Sequence, residues 1–242
     1  MPNTSAPVST SPSTSATSFA FDAVLFDCDG VLVDSEPITN HVLRDMLEER
    51  GWKLSLAESM RIFIGKAVKD ESALIEARTG QPVTQEWLQS FWLRRNQRLQ
   101  DELVAIPGAP EAVRKIHAAY GGRIACASGA DRGKIELQLR KVGLYDCFEG
   151  RYFSGHDQPR SKPFPDVYLH AAAALGVDPR RCAVVEDTVT GATAGVAAGA
   201  TVFGYNPGGP GHSGTTDLLA VGVHRVAGSM AELAEWLTAD RG

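Results

Sequence analysis

Hydrophobic and polar positions along this chain fall into two periods. Ala23-Val24-Leu25-Phe26 is an unbroken apolar run, Cys182-Ala183-Val184-Val185 is another, and Arg123-Ile124-Ala125-Cys126-Ala127 and Thr201-Val202-Phe203-Gly204 are two of similar length that become apolar after a polar first residue. Short runs without alternation predict strands of a parallel sheet covered on both faces. Between and after them the spacing becomes helical, over 131–142, 165–175, 190–199 and 229–238, the last of these amphipathic. Strands alternating with helices predict an α/β fold with a doubly wound, Rossmann-like parallel sheet.

Residues 36 to about 102 break that rhythm. Ile38, Val42, Leu43, Met46 and Leu47, then Trp87, Leu88, Phe91, Trp92 and Leu99, recur at helical spacing, and nothing among them reads as a strand. The expected organisation is an α/β core over 21–35 and 103–242 with an inserted all-helical cap domain over 36–102. Such a cap leaves the sheet just after Asp34 and returns near Pro107-Gly108, which puts it above the strand ends, where a lid excludes water. The tryptophans and Phe91 at helical spacing read as cap core rather than ligand contacts.

A 242-residue chain with 43% apolar residues has ample length for a core. The formal net charge of −5 leaves no basic excess for neutralising a nucleic-acid backbone, so any phosphate recognition is local. Cys28, Cys126, Cys147 and Cys182 show no paired spacing and read as small hydrophobes in a reducing cytoplasm. Strand alternation turns Cys28 away from the face of Asp27 and Asp29. Residues 1–20 are almost entirely Ser, Thr, Pro, Ala and Asn, the composition of a disordered tail, with neither secretory-signal character nor any membrane-spanning run.

Candidate chemistry sits at the ends of the predicted strands. Asp27 and Asp29 follow the first run, with Gly30 permitting a sharp turn. Ser128-Gly129 follows the second, Lys162-Pro163 lies in a loop before a helix, and Glu186-Asp187 follows the third. Alone, each is ordinary turn or loop chemistry. All four fall where a doubly wound sheet converges its loops.

The segments Asp27-Cys28-Asp29-Gly30-Val31-Leu32-Val33-Asp34-Ser35-Glu36, Ala127-Ser128-Gly129, Lys162-Pro163-x-Pro165-Asp166 and Glu186-Asp187-Thr188-x-x-Gly191 resemble, in order and spacing, the motifs of the haloacid dehalogenase superfamily. The similarity is to its helical-cap group of β-phosphoglucomutases and sugar-phosphate phosphatases. That resemblance implies a Mg²⁺-dependent phosphatase acting on a small phosphorylated metabolite through an aspartyl-phosphate. Asp27 is then the nucleophile, and Asp29 the acid that protonates the leaving alcohol and later activates water. A closed lid is expected to raise the Asp29 pKa for that role. The implied metal ligands are the Asp27 carboxylate, the Asp29 backbone carbonyl and the Asp187 carboxylate. Glu186 binds through water or accepts a hydrogen bond farther out. Ser128, the Gly129 amide and Lys162 meet the transferring phosphoryl group.

In the cap, Ile64-Gly65-Lys66-Ala67-Val68-Lys69 resembles the family's substrate loop, which makes Gly65 and Lys66 substrate-binding candidates; Lys66 and Lys69 as plain exposed residues is the other reading. β-Phosphoglucomutases carry a His and an Arg where Thr39 and Val68 stand here, which favours hydrolysis, although His41 lies close enough to keep the mutase reading as an alternative. Phosphoglycolate hydrolysis is a second alternative, and an idle regulator is disfavoured by the full set of acids and bases. Dehalogenation is disfavoured because those enzymes lack the second aspartate. Phe153-Ser154-Gly155-His156-Asp157 also resembles the sugar-phosphate phosphatases, with His156 and Arg160 read as exposed loop residues. The expected setting is the cytoplasm, as a monomer or weak dimer without nucleic-acid or membrane partners.

Overall fold

A computed structural model describes residues 20–64, 66–209 and 211–239. The expectation for the tail over 1–20 therefore lies almost wholly outside the described residues, and that for Gly65 entirely so.

Six parallel strands, β1 (Ala23–Phe26), β2 (Ile124–Ser128), β3 (Tyr152–Ser154), β4 (Cys182–Glu186), β5 (Thr201–Tyr205) and β6 (Arg225–Ala227), stand in the order β3-β2-β1-β4-β5-β6. The chain winds outward from β1 through β2 to β3, then crosses to β4 on the other side of β1. The switch point of the sheet therefore lies between β1 and β4, where the loops part and leave a crevice. Every residue of β1 is buried, because helices cover both faces. Val24 and Phe26 join one apolar cluster, with α5 (Ala109–Ala119) and α11 (Met230–Thr238); Ala23 and Leu25 join the other, with α8 (Asp166–Ala174) and α9 (Val189–Ala197).

Helices α1 (Glu36–Glu48), α2 (Leu56–Phe63), α3 (Ser72–Thr79) and α4 (Gln85–Glu102) form the cap around a cluster of its own that includes Leu43, Phe63, Ile75 and Phe91. Ser55 and Glu58 make a reciprocal capping box at the start of α2, and Thr84 accepts from the Trp87 amide at the start of α4. Ile38 at one end of the insertion and Leu99 at the other are buried in the sheet's cluster instead. The cap is thus stitched to the core at its entry and its exit.

Strands β3 and β6 are absent from the apolar pattern because they are edge strands of three residues, one of them beginning with the exposed Arg225. The remaining described helices are α6 (Arg132–Lys141), α7 (Tyr145–Phe148) and α10 (Thr215–Ala220). Among the described residues no helix is long and apolar enough to cross a membrane.

Candidate active site

Past β1 the ladder continues for one residue, the Asp27 amide donating to the Val185 carbonyl at 3.0 Å, which sets the Asp27 side chain beside the end of β4. The chain then folds back on itself through Gly30, whose amide donates to Val33 O at 2.9 Å. Gly30 has φ +79°, and a Cβ there would collide with the Asp187 carboxylate. Both the backbone conformation and the approach of Asp187 demand glycine. Gly191 does the same for Glu186: a Cβ at that position of α9 would overlap its carboxylate.

Asp27, Glu186 and Asp187 offer carboxylate oxygens that all lie within 4.8 Å of one another, and all three residues are buried. Lys162 lies among them, with Nζ donating at 2.7 Å to Asp27 Oδ1 and at 2.7 Å to Glu186 Oε1. Tyr168, from α8, donates its hydroxyl to Glu186 Oε1 at 2.7 Å and accepts from Lys162 at 3.0 Å. Glu186 Oε2 accepts from the Asp187 and Thr188 amides, at 3.1 and 3.4 Å. Glu186 is saturated with donors; Asp187 is not. Both Asp187 oxygens are buried without a hydrogen-bond partner. Two orphaned carboxylate oxygens beside Asp27 make an all-oxygen donor set that fits a hard divalent cation.

These surroundings shift the acids apart. Burial is the main cause that raises Asp27 to about 7; Lys162 opposes it, and Glu186 and Asp29 add to it. Burial, with Glu186 and Asp27 nearby, also pushes Asp187 up. Burial alone would lower Lys162, but the charges of Asp27 and Glu186 win and hold it well above its ordinary value. Cys28 is no nucleophile, since its hydrogen bond with Cys126 and its burial push the thiol up.

Asp29 departs from expectation. Its Oδ1 accepts from Lys134 Nζ and from Gln138 Nε2, both at 2.7 Å, and from the Ser35 hydroxyl, while Ser128 donates to Oδ2 at 3.4 Å. Burial pushes the carboxyl up, but the Lys134 charge and these bonds outweigh it and hold Asp29 at about 2. The expectation of a raised pKa is therefore corrected: the surroundings that bury Asp29 include a buried cation, Lys134 of the core helix α6.

One pocket of about 350 Å³ joins this centre to the cap. Asp27, Asp29, Ser128, Gly129, Lys162 and Glu186 line it from the core, with Lys66 and Lys69 from the cap loop. Lys66 is also paired with Glu71 at 3.3 Å. Thr39 lines the pocket, whereas the His41 ring bonds the Pro37 carbonyl at 2.8 Å outside the lining. Three expectations change here. Phe91, buried in the cap cluster, also faces the pocket together with Trp92, and His156 lines it half-buried. Arg160 stays outside, exposed and paired with Asp166 at 2.8 Å.

The residues that pattern reading missed are Lys134, Gln138, Tyr168, Arg95 and Asp131. Lys134 and Gln138 are four apart on α6, one helical turn, so a shared face was available as a signal. Nothing in the local pattern says that this face meets Asp29.

Fold and site together define a capped α/β enzyme with an acidic centre at the switch point of its sheet. The chain belongs to the haloacid dehalogenase-like hydrolases, whose family profile it matches over residues 21–199. It is 33% identical over 183 residues to the 6-phosphogluconate phosphatase of Escherichia coli K12, covering 75% of this chain and 81% of that one. Hexitol phosphatase B of the same organism is 33% identical over 178 residues, covering 73% and 79%. A family hydrolase from Deinococcus radiodurans R1, solved with bound phosphate and sodium, is 39% identical, covers 91% of this chain and 99% of that one, and superposes with a TM-score of 0.72.

Proposed function

We propose that this enzyme is a Mg²⁺-dependent phosphatase of small phosphorylated sugars or related metabolites, working in the cytoplasm through an aspartyl-phosphate on Asp27. The observation that carries the reading is the pair of unpartnered Asp187 oxygens beside Asp27, Glu186 and Lys162. The phosphatase relatives and the phosphate held by the Deinococcus hydrolase support it. So do the four free cysteines as regards a reducing compartment.

Asp27 and Asp187 would hold the ion, with the Asp29 backbone carbonyl implied by family resemblance and Glu186 behind them. Bound there, Mg²⁺ supplies positive charge that lets a carboxylate approach a phosphate dianion. Asp27 attacks phosphorus and the bond to the substrate oxygen breaks; Lys162, Ser128 and the Gly129 amide offset charge on the phosphoryl oxygens. Asp29 is ionised while Lys134, Gln138 and Ser35 hold it, so it serves as the acid only after leaving Lys134 and taking up a proton from solvent; it gives that proton to the departing oxygen and then takes one from the water that cleaves the acyl phosphate. Lys162 remains beside Asp27 throughout and keeps the attacking oxygen aimed.

Phosphate release from a panel of sugar, polyol and sugar-acid phosphates tests the reading. Release with Mg²⁺ that stops on chelation is the expected result, and a panel without any release contradicts it. Incubating β-glucose 1-phosphate with a bisphosphate primer separates the mutase alternative, which predicts glucose 6-phosphate as the main product; free phosphate is expected here.

A further inference from the structure

Arg95 and Asp131 are used by none of the chemistry above. Arg95 belongs to α4 of the cap and Asp131 is the residue before α6 of the core; both line the pocket. Arg95 is only 5% exposed, a rare state for an arginine that makes one ion pair. Its Nη2 donates to Asp131 Oδ2 at 2.8 Å, and Nε and Nη2 both donate to Asn96 Oδ1, at 3.0 and 2.8 Å. The Phe91 ring lies under the guanidinium, 5.7 Å from its centre. The fork is thus fixed along one edge, and among the described residues Nη1 has no acceptor.

Asp131 is equally constrained. Its Oδ1 caps α6 by accepting from the Lys134 amide at 2.9 Å, its Oδ2 takes the Arg95 bond, and each oxygen keeps a second lone pair. Its side chain is 31% exposed, so those lone pairs are reachable.

We infer that Arg95 and Asp131 together form a subsite for the hydroxyl groups of the substrate's sugar or polyol portion, and not for a second anion; this rests on the phosphatase reading. A hydroxyl both donates and accepts. A fixed guanidinium nitrogen beside a carboxylate offers one partner of each kind, so neighbouring hydroxyls can accept from Arg95 and donate to Asp131. A carboxylate or second phosphate would meet Asp131 as a like charge. The rest of this end gives no surplus to hold it, since Lys66 and Lys69 are matched by Asp70 and Glu71 in the same lining. A simple strut between cap and core would need the Nη2 bond alone. It would not call for a nearly buried arginine that lines the pocket while its Nη1 has no acceptor among the described residues.

The test compares kcat/KM for a hexitol 6-phosphate, the aldonic acid 6-phosphate of the same carbon chain, and methyl phosphate, in wild type, Arg95→Gln, Arg95→Lys and Asp131→Asn. Wild type is expected to favour the hexitol phosphate over the aldonic acid at least fivefold. In Arg95→Gln and Asp131→Asn the ratio of hexitol to methyl phosphate should fall tenfold or more, mostly through KM. Arg95→Lys keeps the charge and the stem but has one nitrogen for three, and should lose at least threefold; it serves if the Gln variant does not fold. Asp131→Asn should also improve the aldonic acid relative to the hexitol. Ratios within twofold of wild type overturn the inference, and so does a wild type that prefers the aldonic acid. Wild type inactive on all three compounds refutes the phosphatase reading itself, and the inference with it.

Discussion

Lys134 donates a 2.7 Å hydrogen bond to Asp29, reaching back from α6 to the turn after β1, with its side chain 7% exposed and that of Asp29 15%. The cation that governs this acid is therefore not the lysine of the Lys-Pro loop. Lys162 serves Asp27 and Glu186, and Lys134 serves Asp29. Each of the two aspartates of the opening motif has its own lysine, and they sit at opposite ends of the pKa range, about 7 and about 2.

Removing that second lysine has a sign and a pH window. Asp29 titrates below an unfolded aspartate, so the stability it brings is present above about pH 4 and is lost as the pH falls towards 2. Lys134→Met leaves a buried carboxylate without its cation and is expected to cost about 3–5 kcal/mol at pH 7. Urea unfolding at pH 7 and pH 3 checks it: the gap between wild type and variant should narrow at the lower pH.

Asp27 has the opposite sign. Its folded value of about 7 lies above that of an unfolded aspartate, so between about pH 4 and pH 7 the folded chain keeps a proton that the unfolded chain has lost. Stability falls as the pH rises through that window, and the burden is complete above it. A cation held by Asp27 and Asp187 as proposed would replace that proton. The rise in Tm produced by millimolar Mg²⁺ should therefore be larger at pH 8 than at pH 5.5, as scanning calorimetry would record.

Asp187→Asn follows from the two orphaned oxygens. Neutralising a buried carboxylate that lacks donors should raise the Tm of the metal-free protein at pH 8, by the equivalent of about 1–3 kcal/mol, while abolishing the Mg²⁺-dependent rise. Melting in EDTA and in Mg²⁺ reads both effects. A variant less stable than wild type in EDTA would show that Asp187 has partners after all.

Gly30 and Gly51 separate backbone strain from crowding. Both have positive φ, +79° and +86°, but a Cβ on Gly51 meets nothing within 4 Å, while one on Gly30 meets Asp187. Gly51→Ala should cost about 1 kcal/mol and Gly30→Ala about 3 kcal/mol or more, by urea denaturation. Only the second should weaken the response to Mg²⁺.

Much of this was legible in the amino-acid pattern, and the reasons are local. Central strands such as Ala23–Phe26 and Cys182–Glu186 are buried on both faces and so appear as apolar runs, with the acids at their ends marking the sheet's edge. The three-residue edge strands carry no such run. Asp27, Asp29 and Glu186 were readable because each lies at or just past a strand end, and Lys162 because its Lys-Pro loop directly precedes a helix. Lys134, Gln138 and Arg95 sit inside polar helices, where a charged side chain ordinarily means solvent. Their burial depends on how α6 lies against the turn after β1 and against α4, a tertiary fact that no local period encodes. The Asp29 pKa follows the same logic: burial at the strand end is legible in the pattern, and the buried lysine that outweighs it is not.

In the proposed reaction Asp27 is the attacking group. Asp27→Asn keeps the side chain's shape and leaves Lys162 bonded to Glu186 at 2.7 Å, so the fold should persist. Steady-state release of p-nitrophenol from p-nitrophenyl phosphate in Mg²⁺ is the measurement. The folded variant is expected to lose at least about a thousandfold in kcat; turnover close to that of wild type would contradict the role of Asp27 as nucleophile.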